Sequence, residues 1–133
     1  MTRRLAAAAL VLLLPIGMAA CSSQSKADAC AEIEKARNAV LEQSDSLDSA
    51  TDAEGFRSKM DLFVGIYKDA ANNVSNKEVS AAYKDVLADL DKINEAMGAE
   101  TFDYYSDEML ALTQDLTEHG DKLNELCGFS WDR

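Results

Sequence analysis

The sequence predicts an all-α fold, a small up-down-up-down four-helix bundle, on three observations. Apolar residues recur in alternating steps of three and four, the seam of packed, nearly antiparallel helices rather than of strands. Polar residues spaced as helix starts and glycines placed as helix stops divide that pattern into four stretches. The segments between the stretches are short and the chain's one proline, Pro15, lies upstream of all of them, so consecutive helices are expected to be antiparallel neighbours.

The first helix is expected over about Ala27 to Leu47, with Ala29, Ile33, Ala36, Val40 and Leu47 on one stripe. The second opens at TDAE, where Thr51 and Glu54 have capping-box spacing, and continues through Phe56, Met60, Phe63, Tyr67, Ala70 and Val74. The third opens at SNKE with the same device in Ser75 and Glu78. Its stripe is Val79, Tyr83, Val86, Leu90, Ile93 and Met97, and Gly98 stops it. The fourth carries Phe102, Tyr105, Met109, Leu112, Leu116, His119, Leu123 and Leu126 and stops at Gly128. On the same count Leu62, Tyr104 and Leu110 fall away from the seams, and Phe129 and Trp131 lie beyond the last helix.

Ahead of the bundle, Arg3 and Arg4 precede an apolar run from Leu5 to Leu14, then Pro15, Gly17 and the small residues Ala19 and Ala20. That order is a secretory leader, and the run is shorter than the roughly 20 apolar residues a spanning helix needs. At Met18-Ala19-Ala20-Cys21 the segment resembles the lipobox of bacterial lipoproteins, with Met18 where that motif more often has leucine. The resemblance covers the first 21 residues and implies cleavage before Cys21, acylation of its sulfur and an extracytoplasmic location on a bacterial membrane. The alternative is ordinary cleavage beside Ala19 or Ala20 and free secretion. The expected organisation is therefore a signal peptide over 1–20, a polar tether over 21–28, the bundle over 29–128 and a short tail over 129–133.

Cysteine parity agrees with lipidation. Three cysteines in an exported chain leave one unpaired, and acylating Cys21 leaves Cys30 and Cys127 as a pair. In the four-helix topology the first helix starts and the last ends at one pole, which brings Cys30 beside Cys127. A bridge there closes a loop of about 100 residues and stabilises by roughly 4.7 kcal/mol in the chain-entropy model.

Charge narrows the partners. The leader holds two of the 13 basic residues and none of the 24 acidic ones, so the remaining 113 residues carry a net charge of −13. Such a body repels nucleic-acid phosphates and does not lie flat on anionic lipid. Asp45, Asp48, Asp52 and Glu54 cluster near the first turn, but their spacing fails the calcium-loop pattern, and solvation with helix capping explains them. One histidine, no spare thiol, no phosphate cradle and no zinc spacing point away from an enzyme, a metal or a cofactor.

Two polar residues interrupt the seams. Arg37 lies seven residues from Cys30 and His119 eight from Cys127, which places both about 11 Å from the stapled pole. They are candidates for a polar notch between the first and last helices, against the alternative of a histidine satisfied by a carboxylate or backbone partner. The functional expectation is an anchored accessory domain that meets another envelope protein. The alternative is a module that takes a small molecule between its helices. The sequence does not determine oligomeric state.

Overall fold

The computed structural model describes residues 24–44 and 53–129, and within them the chain is an all-α bundle of four helices: α1 (Lys26–Ser44), α2 (Ala53–Ala71), α3 (Lys77–Met97) and α4 (Asp107–Cys127). The first terminus of the bundle is set locally. Ser25 Oγ accepts the Asp28 backbone N–H at 3.0 Å and donates to the Asp28 carboxylate at 2.7 Å, which caps α1 and places an acid in its first turn. Gln24 then ties the incoming chain to the α2–α3 connection: its side-chain amide donates to the Asn73 carbonyl at 2.9 Å, and its Oε1 accepts the Ser75 N–H at 2.8 Å. Residues 24–28, expected in the tether, thus belong to the folded body.

Two other boundaries differ from expectation. The cap of α3 is Asn76 and not Ser75: Asn76 Oδ1 accepts the Val79 N–H at 3.1 Å, and Asn76 Nδ2 donates to the Gln24 carbonyl at 3.0 Å. The amide's two functions serve the helix end and the entering chain together, which a serine hydroxyl one residue earlier does not. The fourth helix begins at Asp107, because Ser106 Oγ accepts the Met109 N–H at 3.2 Å, so Phe102 and Tyr105 stand in the preceding connection and not on a seam. At the far end of α4, Gly128 adopts φ +69° and donates its N–H to the Asn124 carbonyl, the left-handed stop that glycine allows without strain. The proposed cap Thr51, the end of the first stripe at Leu47, and Asp45, Asp48 and Asp52 lie outside the described residues, as do Cys21, the leader and Trp131.

The helices alternate in direction. Gln24 at the start of α1 touches the end of α2 and the start of α3, and Cys30 in the first turns of α1 lies beside Cys127 at the end of α4, with Cα atoms 5.4 Å apart and sulfurs at bonding distance. These termini form one pole. At the other, the Arg57 side chain near the start of α2 lies against Gly98 at the end of α3. The core is built from Ala29, Cys30, Ile33, Val74, Val79, Ala82, Tyr83, Val86, Leu87 and Leu123. Tyr83, only 2 % exposed, donates its hydroxyl to the Tyr67 carbonyl at 2.7 Å, so the largest fully buried ring brings no unsatisfied polar atom with it. Phe129 continues past α4 and packs against this core.

The helix packing is uneven, and this matters for function. The third helix, buried over the widest arc, packs on all three others and most extensively on α4. The first and fourth helices meet over a short stretch only.

Candidate functional site

His119 lies on the α3–α4 seam. Its Nδ1 is 2.5 Å from Asp89 Oδ2, and Asp89 is 1 % exposed while the His119 side chain is one-third exposed. Lys92, one turn along α3, brings its ammonium to 3.5 Å from the other Asp89 oxygen. A carboxylate this deeply buried needs compensation on both oxygens: Oδ2 has the hydrogen bond to His119, and Oδ1 has the longer ion pair to Lys92. The hydrogen bond to Asp89 raises the His119 pKa above its ordinary 6.5; desolvation opposes this, and the fields of Asp89, Asp85 and Glu118 add to it. Of the two readings of His119, the structure shows the histidine satisfied by a carboxylate partner, Asp89 on α3.

Arg37 stands elsewhere. It lines a second hollow of about 380 Å³ at the stapled pole, with Cys30, Glu34, Cys127 and Phe129. Its charge reaches Tyr67, whose hydroxyl pKa is raised by burial and partly restrained by the guanidinium.

Asp89 was not picked out from the sequence, although a signal was present. It lies three residues after Val86 and four before Ile93, on the same stripe as those core residues, just as His119 lies on the stripe of α4. Two interruptions of apolar stripes on adjacent helices are a pairing signal that each alone is not. An oriented imidazole above a buried carboxylate is the supporting half of a catalytic or metal site. Among the described residues no group of three His, Cys, Asp or Glu side chains is gathered to hold a metal.

The larger of these two concavities is walled by α3 and α4, with one residue from α1 and one from α2. It is a cleft of about 430 Å³ whose apolar walls come from Ile33 on α1, Val86 and Leu90 on α3, and Leu116 and Leu123 on α4. The rings of Tyr67 and Tyr83 contribute to its lining, and Thr113, Thr117, Gly120 and Asp121 complete its α4 side. Thr113 and Thr117 donate their hydroxyls at 2.8 Å to the Met109 and Thr113 carbonyls one turn back, so neither offers an unspent donor to the cleft.

Exposed large apolar residues are unevenly placed. Leu41 is three residues from the end of α1, Phe56 three from the start of α2, and Leu110 three from the start of α4, while Phe102, Tyr104 and Tyr105 lie in the α3–α4 connection. All six are at the pole opposite the cysteines; Leu62, in the middle of α2, is the exception among the described residues. Tyr105 and Tyr104 are 82 % and 62 % exposed and meet edge to face with centroids 5.4 Å apart. The outward placement expected for Leu62, Tyr104 and Leu110 holds, and the pole gains Tyr105 and Phe102 because α4 begins later than its apolar spacing implies. No helix among the described residues is long and apolar enough to cross a membrane. Comparison with models of known protein families, with characterised proteins and with solved structures finds no match for this chain.

Proposed function

We propose that this chain is a lipid-anchored extracytoplasmic protein of a bacterial envelope. It is held to the membrane through Cys21 and meets a second envelope protein with its aromatic pole. In this reading it is an accessory domain and not an enzyme. The observation that carries the proposal is the segregation of exposed apolar side chains: six of them share the pole farthest from the chain's entry point. Clustered exposed aromatic residues are characteristic of interface centres, and single truncations of such anchors cost more than about 1 kcal/mol of binding where they are hot spots.

Anchoring gives that arrangement a direction. Gln24 is already bound into the bundle, so three steps of chain separate it from Cys21, and they span at most about 10 Å. The stapled pole then sits close to the bilayer, and helices of 21 residues raise the aromatic pole about 30 Å above it. The acidic body favours this upright stance over contact along its length.

The test is crosslinking and recovery of the anchored protein from its native membrane. Wild type is expected to return one stoichiometric partner. Combined Tyr104→Ser, Tyr105→Ser and Leu110→Ser changes are expected to lose that partner, and Leu62→Ser to keep it. Equal recovery by the triple variant removes the assignment of the aromatic pole as the interface. Mass spectrometry of the purified protein checks the anchor separately: a terminus without acyl chains at Cys21 refutes it.

A further inference from the structure

We infer that the cleft walled by α3 and α4, with Ile33 of α1, is a binding site for a single alkyl or acyl chain lacking an anionic head. This goes beyond the proposed partner interaction and does not depend on it. Three observations lead there. First, the volume of about 430 Å³ is in the range of small-molecule sites, and the walls from Ile33, Val86, Leu90, Leu116 and Leu123 are hydrocarbon.

Second, the lining runs along α4. On α4 the lining runs from Leu123, four residues before Cys127, to Thr113, fourteen before it, so the cleft extends from about 6 to about 21 Å from the stapled pole along the helix. A slot about 15 Å long fits a flexible chain better than a compact ring system. Thr113, Thr117 and Tyr83 already give their hydroxyl protons to backbone carbonyls, so these three offer a ligand acceptor oxygens and no free proton.

Third, the charge selects against anions. Asp121 stands exposed on the α4 side of the cleft, in a body that is strongly acidic as a whole. An alkyl carboxylate or sulfate meets that field at the mouth, and a neutral chain does not.

Gly120 makes the site testable without unfolding the protein. It lines the cleft in the interior of α4, and a Cβ built on it meets nothing within 4 Å. Any residue there except proline improves helix propensity over glycine, by up to about 1 kcal/mol. Gly120→Leu therefore fills the cleft while leaving the fold intact or more stable.

The experiment uses the full lipoprotein in nanodiscs of zwitterionic phospholipid and a photoactivatable diazirine on a decyl chain. The probe is presented in three ways: as a free neutral alcohol, as a free carboxylate, and within the phospholipid acyl chain. The neutral probe is expected to label α3 around Val86–Leu90 and α4 around Thr113–Leu123, and Gly120→Leu to reduce that labelling at least tenfold with an unchanged or raised Tm. Labelling by the phospholipid-borne probe as well identifies the bilayer as the chain's source; labelling by the free alcohol alone identifies a soluble molecule; both outcomes support the site. Labelling spread equally over Phe56 and Leu62, or undiminished in Gly120→Leu, overturns it. Carboxylate labelling as strong as that of the alcohol overturns the selection against anions.

Discussion

Replacing His119 with leucine tests whether the α3–α4 seam depends on its one deeply buried charge. The substitution removes the donor 2.5 Å from Asp89 Oδ2 and leaves the carboxylate in a site where it is 1 % exposed. Removing one partner of a buried pair costs about 3–5 kcal/mol when nothing compensates, and a hydrogen bond to a charged group contributes about 1.5–3 kcal/mol. Lys92 remains 3.5 Å from the other oxygen, on a side chain 56 % exposed and able to move closer, so the lower part of that range applies. The expected loss is about 2 kcal/mol, or about 8 °C in Tm for a domain of this size. Urea denaturation at pH 6 measures it. The combined Asp89→Leu and His119→Leu protein should return to within about 1 kcal/mol of wild type, since an apolar pair strands no charge. A His119→Leu protein as stable as wild type would refute the reasoning.

The same pair sets a pH dependence. Because the folded state raises the His119 pKa above 6.5, the stabilisation from protonated His119 is fully present below pH 6.5 and is lost as pH rises through the higher folded value. The gap between wild type and His119→Leu should therefore be wider at pH 6 than at pH 9. A gap that widens with pH contradicts the assigned sign.

Three further outcomes follow from local geometry. Reduction, or Cys30→Ser with Cys127→Ser, opens a link between residues 97 positions apart and should lower stability by about 4–5 kcal/mol, read as the shift in denaturation midpoint with and without reductant. Asn76→Ala should cost about 1 kcal/mol and Ser75→Ala a few tenths in the same assay, because the α3 cap is Asn76; the reverse order would restore Ser75 as the cap. Gly128→Ala forces a side chain into the left-handed region at φ +69° and should cost about 1 kcal/mol in thermal unfolding, whereas no loss would mean that the helix end rearranges.

Most of the fold is legible along the chain because helical seams repeat at short range. Val79, Tyr83, Val86 and Ile93 form a stripe by spacing alone, and all four are buried. Cap identity is less legible. Ser75 and Asn76 are both good starters, and the choice was made by Gln24, which lies about 50 residues away in sequence and needs the Asn76 amide as a donor. Phe102 and Tyr105 continue the apolar rhythm of α4 yet stand outside it, because Ser106 caps a helix that periodicity alone does not delimit. The candidate site was legible in halves. His119 drew notice as an interruption, while its partner was masked by Leu90, the adjacent residue that also satisfies the stripe.

By itself, the sequence determined the class of fold, the number and order of helices, the acidity of the body and the outward placement of Leu62, Tyr104 and Leu110. These depend on residue type and on spacings of three and four, which any helix converts into a face. Tertiary structure alone decided that His119 pairs with Asp89, that α3 and α4 wall a cleft, and that exposed large apolar side chains among the described residues gather at one pole. Each of those depends on how far apart and at what rotation two helices sit, a quantity fixed by the packing of both surfaces together and written in neither one.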